Sequence, residues 1–141
     1  VSESAVDQAV IAALRADSVL MAAAPGGVFR DVAPAGVSEP YGIVTLQSAA
    51  DAYGIAGCAA LERAVYLVKW VQEANASAGV QAAADRAHVV LQGATLTASD
   101  RRVLNVQRVE RIAYVETVDE SERRFQHRGG LYEVESEAVS A

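Results

Sequence analysis

Two histidines, one cysteine and eighteen carboxylates are the groups in this chain whose types suit proton transfer, nucleophilic attack or metal binding. Histidine titrates near neutral pH and a thiolate is a strong nucleophile, so His88, His127 and Cys58 come first. A thiol enzyme would pair Cys58 with one of the histidines. Cys58 follows Gly57 in a Gly/Ala-rich stretch, and nothing around it marks an activated thiol. Neither a His-x-x-x-His nor a Cys-x-x-Cys spacing occurs, so the pattern of a structural zinc site is missing. The carboxylates show no spacing that would set an acid/base pair across a cleft, as glycoside hydrolysis requires. Gly26-Gly27 is not followed by the Lys-Ser/Thr of a phosphate loop, and Gly54-Ile55-Ala56-Gly57 has the letters of a GxxG nucleic-acid loop without basic neighbours. Tyr66, Trp70, Tyr114, Phe125 and Tyr132 read as core aromatics at strand spacing rather than as a stacking platform. No catalytic residue, cofactor-binding residue or metal ligand is expected, and the chain reads as a non-enzyme; a small cytoplasmic enzyme is the reading against which this is weighed.

Charge is more informative than chemistry. The net charge of −6 argues against a general nucleic-acid binder held by phosphate contacts. Its distribution is uneven. Residues 1–62 hold seven acids (Glu3, Asp7, Asp17, Asp31, Glu39, Asp51, Glu62) against Arg15 and Arg30, whereas residues 101–128 hold seven arginines against five acids. Such a dipolar chain suits head-to-tail assembly, in which two different patches of one subunit complement each other.

The elements that would carry these charges can be read from periodicity. Val6, Ala9, Val10, Ala13 and Leu14 make one stripe of an amphipathic helix, with Ser4 as its cap. Asp17-Ser18 caps a short turn through Val19-Leu20-Met21, and Pro25-Gly26-Gly27 ends it. Val28–Val32 and Tyr41–Gln47 are strand candidates. Residues 48–60 are small and featureless and are expected to form a mobile loop. Leu61–Gln72 is the strongest strand, with Leu61, Val65, Leu67 and Val71 on one face and Tyr66, Val68 and Trp70 on the other. Ser77–Gln92 is a second helix that buries Val80, Ala83, Ala84, Ala87 and Leu91, wets Gln81, Asp85, His88 and Gln92, and stops at Gly93. Val103–Val118 and Phe125–Val134 are late strands flanking an acidic turn at Asp119–Glu122. Gly129-Gly130 inside the last strand predicts a bulge or a close backbone approach. Residues 135–141 are expected to fray.

At 141 residues the chain fits one domain, 1–141, with a core thin in aromatics (6%) and rich in alanine. No apolar run approaches the ~20 residues of a membrane helix, and no signal peptide is expected at the start. Strands outnumber helices and do not alternate with them. The fold expected is therefore α+β, an antiparallel or mixed sheet of four to five strands with two helices packed on one face.

An ordered series of short segments resembles the tail completion, or tail terminator, proteins of long-tailed bacteriophages. These are Ala13-Leu14-Arg15-Ala16-Asp17-Ser18-Val19-Leu20, Gly27-Val28-Phe29, Ala33-Pro34, Pro40-Tyr41-Gly42-Ile43-Val44, Tyr66–Val71, Leu91-Gln92-Gly93 and His127–Tyr132, together spanning about 10–134. Residues 48–58 and 119–124 depart from the pattern. The resemblance implies a virion structural protein, a hexameric ring on the last ring of the tail tube. Its partners would be further copies of itself, the tail tube protein and a head-side connector protein, with no cofactor and no membrane. Genomic DNA would pass through the lumen without specific binding, which an acidic or neutral lumen favours. Other neck components, such as a head-tail adaptor or a minor tail protein, are the neighbouring alternatives. Candidate subunit contacts are Asp51 and Tyr53 in the 48–60 stretch and Arg101, Arg102, Arg108, Arg111, Arg123 and Arg124 along the late strands.

Overall fold

The computed structural model describes residues 3–53, 59–74, 78–118 and 123–138. Within them lie α1 (Glu3–Arg15), α2 (Ser18–Ala23), β1 (Val28–Arg30), β2 (Tyr41–Tyr53), β3 (Ala59–Glu73), α3 (Ala78–Leu91), β4 (Arg101–Val118) and β5 (Arg123–Ala138). The strands form one five-stranded sheet in the order β1-β2-β3-β5-β4. β1 runs parallel to β2 and all other pairs are antiparallel. The expected mixed α+β sheet is the fold, with the short α2 as a third helix.

Period-two alternation along β3 decides which face the helices cover. Ala64, Tyr66, Val68 and Trp70 are almost fully buried, and they join Val6, Val10 and Leu14 of α1, Leu20 of α2 and Val80, Ala83, Ala87 and Leu91 of α3 in one core. The alanines of α3 let its axis lie close to the sheet. Trp70 uses the space over Gly42, where a side-chain Cβ would collide with its Cζ3, Cη2 and Cε3. Two arginine hydrogen bonds tie the end of α1 to the sheet, Arg15 Nε and Nη2 donating to Val28 O at 3.2 and 2.6 Å.

α2 is only six residues, too short to be stable alone. Asp17 holds it from both sides. Its Oδ1 accepts from the Leu20 N–H at 2.8 Å, and its carboxylate takes a forked pair from Arg86 of α3 at 2.9 and 2.7 Å.

Several expectations are corrected. Residues 48–53 and 59–60 are strand, not loop; residues 54–58, with Cys58, lie outside the described residues. Ala and Ser carry little β preference of their own, but pairing with 59–65 imposes it from across the sheet. β5 does not fray after 134: it runs to Ala138, paired with Arg101 and Arg102 of β4 and, at Ser136, with Glu62 of β3. β1 stops at Arg30 because Asp31 turns the chain with φ 62°. At Gly129-Gly130 the expected close backbone approach is present: a Cβ on Gly129 would collide with the Val68 carbonyl, and one on Gly130 would stand 2.8 Å from the Glu110 carbonyl oxygen. The nearby bulge is in β4, where Val109 is an extra residue opposite Leu131 and Tyr132.

Candidate assembly surfaces

β4 is an edge strand, and its two halves differ. The first half is covered by the chain leaving α3: Gly93 N–H donates to Val106 O at 2.9 Å, the Arg108 N–H donates to Gln92 Oε1 at 3.0 Å, and Thr97 bridges to Arg102. Beyond Arg108, among the described residues, no hydrogen bond reaches the outer edge of residues 109–117. That stretch also exposes Val109, Tyr114 and Val115. A long, open, apolar edge is a template for pairing with another strand.

At the other end of the sheet, residues 47–53 of β2 are exposed on both faces. They pair with the start of β3, which is itself paired with β5 from Glu62 onward, so only the tip, Ala52 and Tyr53 against Ala59–Leu61, is two-stranded. This arm carries Asp51 and Tyr53, the latter 67% exposed.

Between α3 and β4–β5 lies a 150 Å³ cavity lined by Arg108, Arg111, Arg128, Gln81, Asp85 and Tyr132, among others. His88 borders this region, its Nδ1 3.2 Å from the Tyr132 hydroxyl. Burial, then the positive charges of Arg108 and Arg111, push the His88 pKa below its usual value, with Asp85 opposing. Burial pushes the Tyr132 phenol up, against the pull of Arg108.

The open face of the sheet holds a second cluster, where Tyr114, Lys69 and Glu116 surround His127. Its residues come from β3, β4 and β5 and sit beside Ile43, Leu67 and Val71.

The structure sorts the eight residues expected at contacts. Arg101 is 7% exposed and is spent inside the chain, donating to Ser136 Oγ at 2.7 Å and Ser136 O at 3.0 Å. Arg102 pairs with Glu137, and Arg123 sits 3.4 Å from Glu73 and over the Phe125 ring. Arg124 is exposed, and its carbonyl accepts from Ala74 N–H at 2.8 Å. Asp51 and Tyr53 lie on the arm, while Arg108 and Arg111 come together in the cavity. Arg128 and Tyr132 belong with that pair. Sequence reading missed them there because strand spacing alone puts Arg108 and Arg111 on opposite faces; only the bulge at Val109 reunites them.

A free strand edge, a projecting arm and segregated charge are the equipment of a structural assembly subunit. The family model described as tail completion protein gp17 matches residues 8–127, and the chain belongs to that family. It is therefore a phage tail-associated structural protein of the virion. A chain of the solved structure titled virion of native gene transfer agent (GTA) particle is similar, with a TM-score of 0.71 and 26% identity, covering 95% of this chain and 96% of that one. No curated protein matches.

Proposed function

We propose that this protein is the tail terminator: a ring, hexameric as the family resemblance implies, that ends the tail tube and joins it to the head-side connector. The open edge of β4 carries this reading. The two edges of the sheet are unlike, one a three-residue strand beside α1 and the other an 18-residue strand bare over its second half. Unlike edges favour a heterologous contact, which closes into a ring when the rotation allows. The similar chain in the gene transfer agent virion supports placing such a subunit in a virion, and the tail completion family supports placing it in a tail. The partners are then further copies of this chain, the tube protein and the connector protein. DNA traverses the lumen without specific binding, in keeping with the net charge of −6.

Sedimentation of the purified protein, alone and mixed with its tube protein, tests the reading. The expected result is a ring that forms on tube ends and stops their growth. A monomer indifferent to tube protein, or a virion map placing the chain away from the head-proximal end of the tube, would overturn it.

A further inference from the structure

Arg108, Arg111 and Arg128 converge on the cavity between α3 and the β4–β5 ribbon, and the convergence is built into the backbone. Residues three apart in a regular strand point to opposite faces; the bulge at Val109 returns Arg111 to the face of Arg108. Gly130 makes the room. A Cβ there would stand 2.9 Å from Arg108 Cδ and 3.2 Å from its Cγ. Among the described residues, none of the three arginines has a carboxylate within ion-pair distance. Asp85 lines the same cavity, but its Oδ1 accepts from Gln81 Nε2 at 2.8 Å, and Arg128 donates to Gln81 Oε1 at 3.1 Å. Three guanidinium groups around one carboxylate leave the cavity with excess positive charge, and a further carboxylate arriving from outside offsets it.

The complementary defect lies on the arm. Asp51 of β2 is directly opposite Glu62 of β3, so two carboxylates share one face as cross-strand neighbours, an arrangement that destabilises a free sheet. Glu62 Oε1 is buried and has no hydrogen-bond partner. Arg101, the base two residues from the Val103–Ser136–Glu62 row, is committed to Ser136.

We propose that the Asp51–Glu62 pair of one copy enters the Arg108–Arg111–Arg128 cavity of the next, joining copies head to tail. The inference rests on the ring reading and names its contact. A carboxylate fits better than a nucleic-acid backbone. A DNA track needs a stripe of cations, whereas this is one small, partly open pocket that includes Asp85, on a ribbon whose other face carries Glu110 and Glu133.

Charge-swap variants test it. Arg108→Glu/Arg111→Glu and, separately, Asp51→Arg/Glu62→Arg should each weaken ring assembly with tube protein by at least about tenfold. An equal mixture should restore it, because each variant's altered patch then meets its opposite. A misfolded chain would not give that restoration, and the milder Arg108→Gln/Arg111→Gln, checked by thermal unfolding, should weaken assembly without reversing charge. If wild type forms rings and the swap variants assemble equally well, or the mixture stays dispersed, the inference is overturned while the ring reading stands. If the glutamate variant assembles normally but loses retention on immobilised duplex DNA, the cavity serves phosphates and the inference is again overturned. If wild type itself never assembles, both fall together.

Discussion

Tyr114 lies flat on His127, the two ring centroids 4.4 Å apart and the planes 6° from parallel. Their cross-strand register brings them face to face on the side of the sheet away from the helices. The Tyr114 hydroxyl accepts from Lys69 Nζ at 2.9 Å, and Lys69 also stands 5.6 Å from the Tyr114 ring centroid. The Glu116 carboxylate is 3.4 Å from His127 Nε2, an ion pair only when the imidazole is protonated. The cluster pins β3, β4 and β5 together beneath the open edge.

His127 is 5% exposed, and its pKa is pushed down by burial first and by Lys69 second, against the pull of Glu116. The folded chain therefore resists a proton that the unfolded chain accepts near pH 6.5. Stability contributed by this group is complete above pH 6.5 and is lost as pH falls through the lower folded value. His88, shifted the same way, adds to the slope. Urea unfolding should show stability falling between pH 7.5 and roughly pH 5, and His127→Gln should flatten that fall. A pH-independent wild type, or an unchanged slope in the variant, would count against this account.

Asp17 is the joint between α2 and α3. Its pKa is lowered from 3.8 to about 2, chiefly by the Arg86 hydrogen bonds and then by the Leu20 N–H. The stability it contributes is present above pH 3.8 and is lost as pH falls toward 2. Asp17→Ala removes the cap and the ion pair together, so it should lower the unfolding midpoint more than Arg86→Ala does. A double-mutant cycle reads the coupling directly. Equal effects from the two single variants would show that the cap contributes nothing.

Gly42 is required by a contact rather than by its own backbone. Trp70 is fully buried against it, and a methyl at Gly42 would collide with the Cζ3, Cη2 and Cε3 atoms of its ring. Gly42→Ala should cost about 1–3 kcal/mol through overpacking. Trp70 is the chain's only tryptophan, so its emission should report the disturbance. An unchanged unfolding midpoint with unchanged emission would refute the packing argument.

Val115 tests the edge separately from the fold. It is 59% exposed on the bare half of β4. Val115→Lys should leave monomer stability within about 0.5 kcal/mol and yet impair ring assembly, because an edge lysine opposes strand pairing. Normal assembly by the variant would move the contact off this edge.

Local pattern was enough for much of the fold. The 3.6-residue stripe of Val6–Leu14 and the period-two alternation of Tyr66, Val68 and Trp70 are set by which side chains avoid water, and both faces were legible directly. So was the stop at Gly93, whose φ of 69° suits glycine. The arm was not legible. Ala49, Ala50 and Ala52 have no strand signal, and they are extended because β3 pairs with them. Arg101 looked like a surface charge and is buried on Ser136, a residue 35 positions away.

The open edge and the arginine cavity divide the same way. Composition and short-range spacing suffice for the strong apolar stripes, the few groups for chemistry, and the acid early and arginine late. Tertiary structure alone decided that β5 inserts between β3 and β4, leaving β4 at the edge, and that one bulged residue brings Arg108 and Arg111 to a single face above Gly130. Strand order and register depend on contacts between residues distant in the chain, and no local periodicity encodes them.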